Sequence, residues 1–134
     1  MDVAHALHCD KDTYYKMSRE ELCAKAVEEG FDVIFSDDHT LLIDIDDNDH
    51  LMMFNTRIDR IKSDVTDIES IEKYTSMSGE PHKHIIVKTK DKFGVPERLF
   101  LQIFLGSDPV REYLSYLRYT RGDKFPSLLL RKRE

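Results

Sequence analysis

Residues 74–88 read Tyr-Thr-Ser-Met-Ser-Gly-Glu-Pro-His-Lys-His-Ile-Ile-Val-Lys. Small residues give way to a β-branched apolar run, which predicts a turn at Ser78-Gly79 and then a strand over residues 82–89. His82 and His84 are two positions apart, so both side chains point to the same face of that strand. The stretch therefore predicts a strand that carries two imidazoles side by side.

A second apolar run also ends in two polar side chains on one face. Residues 40–46 read Thr-Leu-Leu-Ile-Asp-Ile-Asp, which places Asp44 and Asp46 at strand spacing. Mg²⁺ and Mn²⁺ bind one or two protein carboxylates and complete their shell with water and phosphate oxygens. Asp108, in a turn between two predicted helices, is the candidate third carboxylate of a two-metal site for phosphoryl transfer. The competing interpretation is that these acids are turn and cap residues, as predicted for Asp47 and Asp49.

The remaining pattern mixes helices and strands without strict alternation. Ser18 and Glu21 form a capping box for a helix that ends at Gly30. The other predicted elements are a hairpin of residues 31–35 and 40–46, a helix after Asp47, strands 68–76 and 82–89, a helix 97–105, a helix from Asp108 to Gly122, and a strand 125–130. In the helix from Asp108 to Gly122, one face carries Val110, Leu114 and Leu117. This order predicts an α+β fold, a mainly antiparallel sheet with helices packed on one face.

Length and composition indicate a globular protein. The chain has 134 residues, 40% hydrophobic and 34% charged, and we expect residues 1–134 to form a single domain. No apolar run approaches the roughly 18 residues that cross a membrane, and the N-terminus does not resemble a secretion signal. We therefore expect a cytoplasmic protein without membrane contact. A zinc site is a weak candidate because its donors match no standard spacing; they are His5, His8, Cys9 and Cys23.

The charge is distributed unevenly along the chain. Residues 1–80 hold 8 basic and 20 acidic side chains, whereas residues 81–134 hold 12 and 6. The basic half is compatible with phosphate contact, and its candidate nucleic-acid-binding residues are Arg118, Arg121 and Lys124. The competing interpretation is a solvated charged surface, which we favour for residues 131–133.

Three of these stretches together resemble the archaeo-eukaryotic primase, or primase–polymerase, superfamily. Its first motif is an apolar run that ends in Asp-x-Asp, as in residues 41–46. Its second motif is a small polar residue and a histidine that opens a strand, as in residues 76–79 with His84. Its third motif is an apolar residue followed by aspartate, and here Ser107 precedes Asp108. Residues 97–118 also resemble small phage-encoded replication-associated proteins.

The resemblance implies an RRM-like primase core over residues 31–130, preceded by an N-terminal helical extension over residues 1–30. It implies a phage- or plasmid-type replication protein in the (host) cytoplasm, either an active nucleotidyltransferase or a degenerate, binding-only descendant. The implied partners are nucleotide, single-stranded nucleic acid and larger replication proteins. The implied catalytic ligands of Mg²⁺ or Mn²⁺ are Asp44, Asp46 and Asp108. The implied nucleotide-binding residues are Ser76, Ser78, His84 and Arg111.

Residues 79–87 also resemble the His-x-His motif of rolling-circle initiators of the HUH endonuclease class. In that class His82 and His84 would bind a divalent ion, and a helix tyrosine would attack a phosphodiester. The candidate nucleophiles are Tyr113, Tyr116 and Tyr119. A third interpretation is a protein-interaction module without catalysis, with an acidic face and a basic tail.

Overall fold

The computed structural model describes residues 3–76 and 79–133, and within these ranges it confirms an α+β fold. The elements in chain order are α1 (Val3–Ala6), α2 (Lys11–Lys16), α3 (Arg19–Glu28), β1 (Phe31–Phe35), β2 (Thr40–Ile45), α4 (Asn48–Asp64), β3 (Ile68–Thr75), β4 (Lys83–Thr89), α5 (Val95–Phe104), α6 (Pro109–Thr120) and β5 (Leu128–Lys132). None of the described helices is both long and apolar enough to cross a bilayer. All strand pairs are antiparallel.

The first compact unit contains the described residues up to Phe35 together with those from Leu128 onward. Its α3 begins as predicted, because the Ser18 hydroxyl accepts a hydrogen bond from the Glu21 amide at 3.1 Å. Strands β1 and β5, which the sequence analysis assigned to the core, form a two-stranded antiparallel sheet in this unit. Leucines 128–130 are buried. The single-domain interpretation stays a prediction.

The predicted hairpin of residues 31–35 and 40–46 is wrong, because β1 pairs with β5 and β2 pairs with β4. The polar turn after β1 is held by the last residue of β4 and by the segment that follows it. Thr89 donates its amide to the His39 carbonyl, and Phe93 donates to the Asp38 carbonyl, both at 2.8 Å. Strand β5 also begins three residues later than predicted, since Pro126 has no N–H for a ladder. A local turn signal was therefore overridden by pairing between distant segments.

The second compact unit, residues 36–127, has a three-stranded sheet in the order β2–β4–β3. One face of this sheet packs on α4 in a continuous apolar core. Its buried members include Leu41, Ile43, Ile45, Phe54, Ile58, Ile61, Ile85, Val87 and Leu105. Because side chains alternate along β2, Leu42 and Asp44 point to the opposite face.

Polar groups from α5, α6 and the turn between them close the free edge of β2. The Gln102 side-chain oxygen accepts from the Leu42 amide at 3.0 Å, and Arg111 donates to the Leu42 carbonyl at 3.4 Å. The Ser107 hydroxyl accepts from the Asp44 amide, and the Asp108 amide donates to the Asp44 carbonyl, both at 2.9 Å. An edge strand must have its backbone groups satisfied, so these two helices bury polar residues.

Candidate metal centre

Three carboxylates converge where β2 ends and α6 begins. Asp44 is in β2, Asp46 follows the strand, and Asp108 is the N-cap of α6. One ligand oxygen of each lies within 4.8 Å of the others. Within residues 3–76 and 79–133 this is the one such group of acidic, histidine or cysteine side chains. The structure thus brings together the three predicted metal ligands, although Asp108 lies 64 residues after Asp44 in sequence.

Gly106 makes this convergence sterically possible. Its φ is +97°, and a Cβ at this position would lie 2.5 Å from the backbone oxygen of His50. His50 is in the first turn of α4, whose N-cap Asp47 accepts from the His50 amide at 2.8 Å. The α5–α6 turn can approach the β2–α4 turn only because position 106 has no side chain.

A buried glutamate holds the residues that close the edge of β2. Glu112 is almost fully buried, and its carboxylate accepts hydrogen bonds from the Gln102 amide group, the Ser107 hydroxyl and the Arg111 guanidinium. Burial raises the pKa of Glu112, while the Arg111 cation and these donors act in the opposite direction. Glu112 therefore supports Asp44 and Asp108 indirectly, through the groups that fix their backbone.

The two histidines face the two aspartates across the β2–β4 pair. Asp44 and His84 are directly opposed in register, and their Oδ1 and Nε2 atoms are 3.5 Å apart. His82 Nδ1 lies 3.5 Å from Asp46 Oδ1. Tyr74, opposite His84 on β3, places its hydroxyl 3.2 Å from His84 Nδ1 and its ring edge-on to the imidazole. The two polar pairs, each predicted for one face of its own strand, therefore lie side by side at one end of the β2–β4 pair.

The electrostatics of the cluster favour a cation. Burial raises the pKa of Asp44, and the negative charge of Asp108 adds to this effect while Arg111 opposes it. Burial also raises the pKa of Asp46, with further contributions from Asp44 and Asp108. Burial and the nearby Arg111 cation lower the pKa of His84 to about 4, so its imidazole is neutral at pH 7. The carboxylates thus repel one another beside a neutral histidine, and a divalent ion would relieve that repulsion.

The donor set fits a hard divalent cation. Oxygens that share one Mg²⁺ at about 2.1 Å lie about 3–4 Å from each other, and the observed limit of 4.8 Å is close to that spacing. The Asp46 side chain is 45% exposed, whereas that of Asp44 is 17% exposed, so the cluster opens to solvent on the Asp46 side. A bound ion could therefore keep water or phosphate oxygens in its remaining positions.

The predicted nucleotide-binding residues occupy different surroundings. His84 lies against Asp44, and Arg111 is in the first turn of α6, paired with Glu112. Ser76 follows β3, and its amide donates a hydrogen bond to the His82 carbonyl at 2.9 Å. Ser78 lies outside the described residues. Their contacts with nucleotide stay a prediction.

The predicted nucleic-acid-binding residues lie at the far end of α6. Arg118 is in its last turn, and Arg121 and Lys124 follow the helix. With a rise of 1.5 Å per residue, ten residues separate Asp108 from Arg118 by about 15 Å along the helix axis. Arg121 and Lys124 are exposed. Their role stays a prediction.

The other candidate residues are placed as follows. The tyrosines of the HUH interpretation, Tyr113, Tyr116 and Tyr119, are all exposed on α6. His8 is paired with Glu29, with Nδ1 and Oε2 2.7 Å apart. The candidate zinc donors form no metal-binding group among the described residues.

Sequence reasoning missed the buried polar groups that hold the site, namely Gln102, Ser107 and Glu112. A signal existed: Gln102 lies inside the apolar run of α5, and Glu112 lies on the face of α6 opposite the apolar stripe of Val110 and Leu114.

We compared the chain with protein-family models, with curated proteins and with solved structures, and none of the three searches found a match.

Proposed function

We propose that this protein binds Mg²⁺ or Mn²⁺ through Asp44, Asp46 and Asp108 and holds the phosphates of a nucleotide beside that ion. The observation that carries the proposal is the convergence of three carboxylates within 4.8 Å of one another. The sequence motifs favour a minimal primase–polymerase-like protein of phage- or plasmid-type replication. In that role the reaction is nucleotidyl transfer, and a degenerate descendant would retain binding without catalysis.

Each residue has a defined part in this proposal. A bound divalent ion would supply charge neutralisation for phosphate oxygens. Asp44 and Asp46 hold the ion from the sheet, and Asp108 holds it from the start of α6. His84, neutral at pH 7, lies against Asp44 and can donate or accept one hydrogen bond towards the nucleotide. Arg118, Arg121 and Lys124 would contact the phosphates of a single strand farther along α6.

The topology of the second unit supports the same proposal. Its elements follow the order β2, α4, β3, β4 and α5, with β4 between the other two strands. This β–α–β–β–α order is shared with the first five elements of the split β–α–β arrangement. In the described part of this unit, α6 and its polar side chains lie beside the β2 edge, where a further strand would pair.

We expect calorimetry to show Mn²⁺ binding by the unmodified protein and its loss in Asp44→Asn. The substitution removes one anionic ligand from a cluster that has three, and the remaining amide is a weaker ligand for a hard cation. Asp59→Asn is the matched control, because Asp59 is an exposed carboxylate of α4 that pairs with Lys62 and lies outside the metal-binding group found among the described residues. Equal Mn²⁺ binding by the unmodified protein and Asp44→Asn would overturn the proposal.

A second candidate function is HUH-type strand cleavage, favoured by the position of both histidines at the carboxylates and by the exposed tyrosines of α6. The two enzyme classes differ in their products. Primase–polymerase chemistry should incorporate nucleotide on a primed single strand even when Tyr113, Tyr116 and Tyr119 are all changed to Phe. HUH chemistry should form a covalent protein–DNA adduct that one of these changes removes. An adduct on a denaturing gel would replace the first proposal by the second.

A further inference from the structure

Three polar side chains form one row across the three strands of the second unit. Asp44 of β2 is opposite His84 of β4, and His84 is opposite Tyr74 of β3. Directly opposed residues of antiparallel strands have their side chains on the same face, with Cβ atoms about 4.5–5.5 Å apart. The row therefore connects the carboxylate cluster to Tyr74, on the other outer strand of this sheet, through the imidazole of His84.

The two ring nitrogens of His84 face different groups. Nδ1 lies 3.2 Å from the Tyr74 hydroxyl, which is hydrogen-bond distance, and the two rings are edge-on with their centroids 5.2 Å apart. Nε2 lies 3.5 Å from Asp44 Oδ1, which is longer than the roughly 2.7–3.2 Å of an N–H···O hydrogen bond. Nδ1 is thus engaged by the hydroxyl, whereas Nε2 faces the carboxylates without a hydrogen bond of normal length to Asp44.

The charges around the ring favour one position for its proton. A neutral imidazole has one N–H donor and one acceptor nitrogen. Nε2 faces Asp44, whose carboxylate belongs to the cluster with Asp46 and Asp108. A lone pair on Nε2 would repel these anionic oxygens, whereas an Nε2–H bond attracts them. A tyrosine hydroxyl can donate or accept, so the Tyr74 hydroxyl can supply the donor that an unprotonated Nδ1 requires.

We propose that Tyr74 is a positioning residue whose hydroxyl donates to Nδ1 of His84 and holds the imidazole in the form that carries its proton on Nε2. His84 is then a hydrogen-bond donor at the carboxylate cluster and not a ligand of the divalent ion, because a ligating nitrogen must present its lone pair. What this donor meets rests on the proposed function: it is an anionic oxygen of the group that the ion carries.

The partner of Nδ1 supports a donor role for His84 over a ligand role. Histidines that bind a metal almost always donate their other N–H to a carboxylate, a backbone carbonyl or water. Here the partner is the Tyr74 hydroxyl, and the carboxylate lies on the Nε2 side. The hydroxyl also restrains the ring, since the outer torsion of a histidine side chain is broad and roughly two-fold. Tyr74→Phe removes this restraint and retains the aromatic ring.

The first test locates the proton by NMR of the side-chain nitrogens in the ¹⁵N-labelled full chain at pH 7, without added metal. His84→Gln identifies the signals of His84 by their loss. We expect a protonated Nε2 and an unprotonated, hydrogen-bonded Nδ1, whose resonance Tyr74→Phe moves towards that of a nitrogen without a hydrogen-bond donor. Tyr15→Phe, a change in an exposed tyrosine of α2, should leave it unmoved.

A proton on Nδ1, protons on both nitrogens, or an Nδ1 resonance that Tyr74→Phe leaves in place would overturn the proposal. The unmodified chain alone decides the first two outcomes, so they do not depend on the folding of a variant. The measurement needs neither metal nor nucleotide. It can therefore fail while the protein binds Mn²⁺, and it can succeed while the protein does not.

The second test asks what His84 does when the ion is present. Mg²⁺ added to the labelled chain should leave the proton on Nε2, and loss of that proton would identify His84 as a ligand and overturn the proposal. In calorimetry with excess Mn²⁺, Tyr74→Phe should weaken the binding of inorganic tripolyphosphate roughly two- to tenfold, the effect of one hydrogen bond. Tyr15→Phe should bind as the unmodified chain does. Equal affinity in Tyr74→Phe would show that the hydroxyl positions nothing that the ligand needs.

Discussion

Gly106→Ala should lower the free energy of unfolding by about 2–6 kcal/mol. Two effects add at this position: a left-handed φ of +97° costs a non-glycine residue about 1–3 kcal/mol, and a forced overlap costs about 1–3 kcal/mol more. The overlap is with the backbone oxygen of His50, 2.5 Å from the new Cβ, and backbone cannot rotate away as a side chain can. Chemical denaturation followed by circular dichroism measures the change.

Gly122→Ala is the matched control for this substitution. Gly122 also has a positive φ, +83°, but a Cβ there would meet nothing within 4 Å. The control therefore carries the backbone strain without the overlap and should cost only the strain term of about 1–3 kcal/mol. Equal losses in the two variants would show that the close approach to His50 contributes nothing. Because this approach places Asp108 beside Asp44, Gly106→Ala should also weaken Mn²⁺ binding, which Gly122→Ala should leave unchanged.

Glu112→Ala should cost about 3–5 kcal/mol, the range measured when one member of a buried ion pair is removed. The change deprives Arg111, Gln102 and Ser107 of their shared acceptor in a buried environment. Glu69→Ala, which removes an exposed glutamate of β3, should change stability by less than about 0.5 kcal/mol. Thermal and urea unfolding measure both variants.

A double-mutant cycle separates the network from simple loss of packing. Glu112→Ala and Gln102→Ala remove two ends of one hydrogen bond. The loss of stability in the double variant should therefore be smaller than the sum of the two single losses by about 1 kcal/mol or more. Additive costs would mean that Glu112 stabilises the fold independently of the groups on the β2 edge. Glu112→Gln retains the shape and one acceptor oxygen, and it should therefore lose less stability than Glu112→Ala.

The local pattern was sufficient for most elements and for half of the site. The alternation of side chains along a strand predicted Asp44 and Asp46 on one face of their strand and His82 and His84 on one face of theirs. This alternation is a property of the extended backbone and does not depend on distant contacts. The caps at Ser18, Asp47 and Asp108 were equally readable, since each is a contact within three residues. These features depend on neighbours in sequence, so the sequence alone determined them.

Strand pairing and the completed cluster were decided by the tertiary structure. Which strand pairs with β2 depends on the total apolar surface that each pairing buries. The sequence of the turn at residues 36–39 carries no information about that total. Asp108 reaches Asp44 only because Gly106 has no side chain, so that the turn before α6 can pack against the backbone of His50 in α4. The burial of Glu112 on α6 likewise depends on the β2 edge, since Glu112 accepts hydrogen bonds from the Gln102 and Arg111 side chains that satisfy the backbone of Leu42. The sequence by itself therefore determined which side chains share a strand or cap a helix, whereas contacts between distant segments determined which of them meet.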